Sequence, residues 1–262
     1  MTPDQIERAG NSLYHAEQSR IQRSLLSAEY PAATMDHAYA VQRAFVDRKL
    51  AVGRRIIGWK IGLTSRAMQQ QLNITTPDSG VLLDDMAFTA GCTVPANLFI
   101  APRIEAEIAF VMKAPLSGNV TRDQVLAASD YVAPALEILD TRIVRAEEGK
   151  TRTIIDTISD NAANAGIVMS DHRHAPTTDL RWVGAIVKRD GVVEETGLGA
   201  GVLDDPVTGI IWLARRMHQH GQRIEAGQII LSGSFIRAIE CPSGAQIDAD
   251  FGPFGRLNCS FA

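Results

Sequence analysis

The chain has 262 residues, 45% hydrophobic and 21% charged, with 21 Gly and 11 Pro, the make-up of one globular domain with a small helical appendage. At this length folding buries roughly three quarters of the unfolded surface, so no disulfide or structural metal is needed merely to fold, and any metal would be there for chemistry. Lys+Arg 26 against Asp+Glu 30 gives a formal net charge of -4 and no clustered basic footprint, which argues against nucleic acid as the main partner.

The opening MTPDQIERAG has no basic start followed by an apolar run, so no secretory signal is expected, and nowhere do about 18 apolar residues run together to span a membrane. The expectation is a soluble cytoplasmic protein. Cys92, Cys241 and Cys259 fit that setting, being far apart and without CxxC spacing for zinc or a redox dithiol. Thr2-Pro3-Asp4-Gln5 reads as a capping box with proline at the first helical position, and Ile6, Leu13, Ile21 and Leu25 recur at helical intervals, predicting a helix over 3–27. A second helix over 35–51 turns Ala38, Val41, Phe45 and Leu50 inward and stops at Gly53. Residues 1–53 are read as a helical part, and 54–262 as a β-rich body that carries the chemistry.

From Arg55 onward, short apolar runs punctuated by Gly and Pro favour strands: RIIGWKIGL, SGVLLDD, RIEAEIAFVM and PALEIL. Thr121 caps a predicted helix through about Tyr131. WVGAIVKRDGVVEE carries Asp190-Gly191 between two apolar runs, a strong hairpin signal. Asp205-Pro206 opens a helix to His218, and QIILSGSF and RLNCSFA return to strands. Strand and helix do not alternate at βαβ spacing, so an α+β body is expected over a doubly wound parallel sheet.

In Arg103-Ile104-Glu105-Ala106-Glu107-Ile108-Ala109-Phe110, a strand puts Glu105 and Glu107 on one face, about 6.6 Å apart at ~3.3 Å per residue. In a helix the two would sit some 200° apart. Carboxylates within about 5 Å repel by roughly 3 kcal/mol at an effective dielectric near 20, so a buried pair calls for a shared proton or a cation. The alternative is an amphipathic strand with both glutamates in solvent. Glu137 interrupts the apolar run Pro134-Ala135-Leu136-Glu137-Ile138-Leu139, where a charge needs a partner or a metal. Three carboxylates suit Mg²⁺ or Mn²⁺ better than zinc; the alternative partner for Glu137 is Arg142.

Lys60 is a polar head in the glycine-flanked run Gly58-Trp59-Lys60-Ile61-Gly62. Partly desolvated, it serves a substrate carboxylate or proton transfer; on an edge strand it simply snorkels. Asp78, in Pro77-Asp78-Ser79-Gly80, has an ordinary use as a turn acceptor. Ser159-Asp160-Asn161 and Ser232-Gly233-Ser234 are small polar loops able to present hydroxyls and N–H groups to an anion, or to do loop duty. Gly197-Leu198-Gly199-Ala200-Gly201 has Val202 where GxGxxG needs glycine, and His218-Gln219-His220 lacks ligand-spaced partners, so neither a dinucleotide nor a zinc site is expected.

Taken together, GWKIGLTS, PDSGVLLDDM, PRIEAEIAFVM, APALEILD, DTISDNAANAG, LRWVGAIVKRDGVVEETG and AGQIILSGSF resemble the hydratase/decarboxylase branch of the fumarylacetoacetate hydrolase superfamily, in order from about residue 35 to the C-terminus. The resemblance implies an N-terminal helical part on a mixed β-roll or sandwich core, and Mg²⁺ or Mn²⁺ held by Glu105, Glu107 and Glu137. It implies catalytic roles for Lys60 and Asp78, with Ser159, Asp160, Asn161 and Ser234 as substrate-binding candidates. The implied reaction is metal-dependent hydration of a seven-carbon 2-hydroxydienoate diacid to a 4-hydroxy-2-oxo acid in aromatic catabolism, with a proton going to C5 and water to C4. Decarboxylation of 4-oxalocrotonate and hydration of the five-carbon dienoate are the neighbouring alternatives. A non-catalytic metal-binding assembly subunit is the alternative of another class. A distal carboxylate requires a further cation, for which Arg103, Arg142 and Arg152 are candidates. The resemblance also implies a homo-oligomer, often pentamer-based, and association with a pathway aldolase or decarboxylase.

Overall fold

The computed structural model describes residues 1–71 and 74–262. Helix α1 (Pro3–Ser19) starts where Thr2 accepts from the Gln5 amide while the Gln5 side chain accepts from the Thr2 N–H, the reciprocal cap that the sequence predicts. It ends at Ser19, short of 27, because Arg20 takes φ 60° and the next residues run extended, bridging Arg23 to Ile143. Ile21 is accordingly exposed and Leu25 buried. A single turn, α2 (Leu26–Glu29), leads to α3 (Met35–Ala51), capped by Thr34. Helix α3 matches the expected bounds and buries Ala38, Val41 and Phe45, with Gly53 at φ 93° just beyond its end.

The body follows in chain order as β1 (Ile56–Gly62), α4 (Arg66–Gln71), β2 (Asp78–Leu83), β3 (Ala87–Thr89), β4 (Cys92–Val94), β5 (Arg103–Met112), α5 (Arg122–Ala128) and β6 (Ser129–Leu139). Next come β7 (Ala146–Glu147), β8 (Lys150–Thr151), α6 (Ile154–Ser159), β9 (Asn164–Met169), β10 (Gly184–Arg189) and β11 (Val192–Leu198). The chain ends with α7 (Pro206–Gln219), β12 (Ile229–Leu231), β13 (Ile239–Glu240), β14 (Gln246–Asp250) and β15 (Arg256–Phe261). Helix α5 stops before the expected Tyr131, since residues from Ser129 pair with β5 and tertiary pairing overrides local propensity. The β10–β11 hairpin turns on Asp190 and Gly191, both at positive φ, as a two-residue primed turn requires.

The larger sheet runs β2-β1-β12-β5-β6-β9-β3, with β13 also on β5; the smaller runs β11-β10-β14-β15-β4. Ile104, Ala106, Ile108 and Phe110, the even face of β5, join the main core. The odd face packs a smaller apolar cluster of Leu82, Ala109, Ala135, Ile167 and Leu231, which lies inside the curl of the sheet. The curl is tied across its two sides by Asn161 and Asn164, whose side chains both donate to the Val81 carbonyl, while Asn161 Oδ1 accepts from the Val81 N–H. Gln42 of α3 donates to the carbonyls of Ser79 and Ile158, fastening the helical start to the same rim. All three cysteines are free thiols. Among the described residues, no helix is long and apolar enough to cross a membrane.

Gly58 lies in the parallel pairing of β1 with β12, and a Cβ there would fall 1.9 Å from the Ile229 carbonyl oxygen. Gly58→Ala is therefore expected to lose roughly 3 kcal/mol or more in urea unfolding, at or beyond the upper end of overpacking costs. A variant as stable as the parent would contradict this register.

Candidate active site

Alternation along β5 brings Glu105 and Glu107 to the inner face of the curl, and the antiparallel register of β6 sets Glu137 directly across from Glu105. The three offer carboxylate oxygens that all lie within 4.8 Å of one another. Glu107 and Glu137 are buried and Glu105 is partly exposed at the rim, so the solvent-facing alternative does not describe this strand. Lys60 enters from β1, an inner strand between β2 and β12; its Nζ stands 3.3 Å from Glu137 Oε1. At 3% exposure it is no snorkelling edge residue. Glu137 thus faces Lys60, whereas Arg142, the other candidate partner, is held by Asp160.

Asp78 begins β2 opposite Gly62. Its two oxygens are buried without a well-directed hydrogen bond among the described residues, although the backbone N–H groups of Gly62 and Asp78 act on the carboxyl against the effect of burial. A Cβ on Gly62 would meet Asp78 Oδ1 at 2.3 Å and Lys60 Nζ at 2.9 Å; only glycine lets carboxylate and ammonium converge there. The backbone N–H of Gly233 donates to Glu107 Oε2 at 2.8 Å. In the Ser232-Gly233-Ser234 loop it is therefore the central amide that touches the acidic cluster. Ser234 Oγ is engaged with the Ile236 backbone.

The Ser159-Asp160-Asn161 segment divides by residue. Asp160 accepts from the Arg142 guanidinium and backbone N–H and lies 3.4 Å from Arg152. Asn161 is committed to Val81. Ser159 Oγ is buried without a hydrogen-bond partner among the described residues. Asn161, Ala162 and Ala163 all hold positive φ, at 53°, 52° and 59°, a conformation costing non-glycine residues about 1–3 kcal/mol each and concentrated beside functional sites. No glycine announces this turn in the sequence. Tyr39 was equally silent: its hydroxyl accepts from the Ser79 N–H at 3.2 Å, and the Arg216 guanidinium lies 3.6 Å from its ring centroid.

Burial, and then the charge of Glu137, pushes Glu105 up to about 8. Burial likewise raises Glu107 well above the usual range, with Glu137 and Glu105 adding to it, and raises Glu137 against the opposing pull of Lys60. Asp78 is raised by burial and partly restored by Lys60. Burial alone would lower Lys60, but Glu137, Asp78, Glu105 and Glu107 together hold it above its ordinary value, so it stays protonated. One ammonium thus faces four carboxylates, and neither Glu137 oxygen has a well-directed hydrogen bond among the described residues. An all-oxygen donor set with orphaned, buried lone pairs fits a hard divalent cation.

No family model matches the chain. It is 47% identical over 253 residues, 95% of each chain, to 2-oxo-hept-4-ene-1,7-dioate hydratase of Escherichia coli. It is 38% identical over 263 residues, 100% of this chain and 96% of the relative, to 2-keto-4-pentenoate hydratase of Paraburkholderia xenovorans (strain LB400). Among solved structures, 4-oxalocrotonate decarboxylase from Pseudomonas putida G7, complexed with magnesium and adipate, matches with TM-score 0.94 at 32% identity, covering 100% of this chain and 99% of that one. The chain belongs to the hydratase/decarboxylase branch of the fumarylacetoacetate hydrolase superfamily. Its α+β architecture is the one that branch implies.

Glu105 titrates near 8 in the fold against an ordinary 4.5. Between those values the folded protein holds a proton that the unfolded chain has lost, so stability falls as pH rises through that window. Chelator-treated protein should therefore melt at a lower temperature at about pH 8.5 than at about pH 5.5, and Mg²⁺ should raise the midpoint most at the alkaline end. A midpoint that climbs with pH without a divalent ion would contradict the cluster's electrostatics.

Proposed function

We propose that this protein is a divalent-metal-dependent hydratase that adds water to 2-oxo-hept-4-ene-1,7-dioate, through its 2-hydroxydienoate form, giving a 4-hydroxy-2-oxo acid in aromatic catabolism. The observation that carries the reading is the cluster of Glu105, Glu107 and Glu137 with Lys60 against it, in a chain 47% identical to a hydratase over 95% of its length. Glu105, Glu107 and Glu137 would hold the ion, with Mg²⁺ the first choice and Mn²⁺ the second. When bound, such an ion supplies Lewis-acid stabilisation of negative charge on the substrate's C2 oxygen.

The chain's own groups do the rest. Lys60, kept protonated by the surrounding carboxylates, orients the substrate carboxylate and balances charge that develops during reaction. Asp78, with its carboxyl raised by burial against the opposing pull of Lys60, holds and moves the proton at C5. Water adds at C4. The buried hydroxyl of Ser159, without a hydrogen-bond partner among the described residues, is available to substrate. Asp160 and Asn161 hold the wall behind it through Arg142 and Val81, and Ser234 fixes the loop that aims the Gly233 amide. We place the protein in the cytoplasm as a pentamer-based homo-oligomer, with a pathway aldolase or decarboxylase as neighbour.

The fold match to 4-oxalocrotonate decarboxylase favours a second reading, in which the same site expels CO₂. The match to 2-keto-4-pentenoate hydratase favours a shorter substrate for the same hydration. Presented with the seven-carbon dienol diacid and Mg²⁺, the protein is expected to consume the diene absorbance without releasing CO₂, and EDTA is expected to stop it. Lys60→Met should lower kcat about 100-fold or more while keeping the far-UV circular dichroism of the parent. Near-normal turnover in that variant would remove Lys60 from the chemistry, and stoichiometric CO₂ would move the assignment to the decarboxylase.

A further inference from the structure

Strand β2 carries Asp78 as its first residue and ends the order of the larger sheet, paired with β1 alone among the described residues. The open side of such a strand presents the N–H and C=O of every second residue, here Ser79 and Val81. Side chains occupy all four groups. Two residues on one face of α3 take Ser79: the Tyr39 hydroxyl accepts from its N–H at 3.2 Å, and the Gln42 amide donates to its carbonyl at 2.8 Å. Asn161 accepts from the Val81 N–H, and Asn161 and Asn164 donate to the Val81 carbonyl. Helix α7 holds the approach to the strand, where Trp212 Nε1 donates to Thr76 Oγ1 at 3.1 Å. One turn further along α7, the Arg216 guanidinium lies 3.6 Å from the centroid of the Tyr39 ring, a cation–π contact that fixes the ring in turn.

These contacts converge on the residue next to the site. Alternation along β2 sends Asp78 to the inner face, against Gly62 and Lys60, and Ser79 to the opposite one, towards the helices. Both side chains hang from one backbone, so a rotation at the Ser79 peptide swings the Asp78 carboxyl with it. Burial, and then the charge of Asp78, raises the Tyr39 hydroxyl, with Arg216 opposing; the hydroxyl stays protonated and lies close enough to feel the carboxylate. A group that moves a proton has to stand within hydrogen-bond reach of the reacting atom, and a displacement of about 1 Å costs up to roughly 100-fold in rate. The Tyr39 contact can be removed alone, because Tyr39→Phe deletes one oxygen and leaves the ring under Arg216.

We propose that Tyr39, with Gln42 beside it on α3, is a positioning residue for Asp78: its hydroxyl fixes the Ser79 N–H and with it the strand end from which Asp78 meets Lys60 and the substrate. The inference rests on the hydratase reading above, in which Asp78 moves the proton at C5. Two kinds of readout test it. Without any reaction, hydrogen exchange at the Ser79 amide, measured with Mg²⁺ present, is expected to be roughly 5- to 10-fold faster in Tyr39→Phe than in the parent, the scale of one lost hydrogen bond. In turnover, Tyr39→Phe is expected to lower kcat about 10-fold with KM within twofold of the parent, and to raise the solvent deuterium isotope effect on kcat, which a smaller folded fraction would leave unmoved. Adding Tyr39→Phe to Asp78→Asn is expected to cost nothing further, since the tyrosine acts through the aspartate. Unchanged Ser79 exchange, a parental kcat and isotope effect in Tyr39→Phe, or a full penalty that persists beside Asp78→Asn would each overturn the proposal. A parent that hydrates no dienoate while Tyr39→Phe still speeds Ser79 exchange would sustain the clamp on β2 and sink the hydratase reading instead.

Discussion

Three carboxylates facing one another across two adjacent strands cannot all be ionised inside a protein without positive charge among them. Lys60 provides one such charge, 3.3 Å from Glu137, against Glu105, Glu107, Glu137 and Asp78 together. The fold holds this imbalance in place because the cluster stands on inner strands of a large sheet, whose pairing cannot shift by one residue without turning Ile104, Ala106 and Ile108 out of the main core. Strain of that kind persists where surrounding structure over-determines it and a ligand discharges it.

The supports around the cluster are equally specific. Gly62 removes the Cβ that would separate Asp78 from Lys60, and the Gly233 amide gives Glu107 a backbone donor. Asn161 and Asn164 clip Val81 to the opposite side of the curl. Arg142, buried against Asp160, anchors the loop that follows β6. Breaking a buried pair by removing one partner costs about 3–5 kcal/mol, so this loop is held more firmly than its polar sequence suggests.

What the sequence made legible was local. The period-2 alternation of Glu105 and Glu107 and the apolar neighbours of Glu137 follow from burial rules that act within a few residues. The caps at Thr2, Thr34 and Thr121 and the Asp190-Gly191 turn follow from backbone chemistry of the same range. What stayed hidden was spatial. Nothing in the chain order says that β12 inserts between β1 and β5, or that Glu137 pairs with Lys60 while Arg142 turns to Asp160. Helix α1 ends short of its apolar periodicity for a related reason: Arg20 adopts a left-handed conformation without the glycine that marks such a stop.

The proposed chemistry therefore reduces to one site, the cluster of Glu105, Glu107 and Glu137 with Lys60 against it. The most direct measurement is a crystal of the protein grown with Mn²⁺ and examined for anomalous scattering. The account predicts a single strong peak within about 2.2 Å of one oxygen from each of Glu105, Glu107 and Glu137, the distance expected for a small hard cation. A peak held by other residues, or none among these three at saturating Mn²⁺, would contradict it.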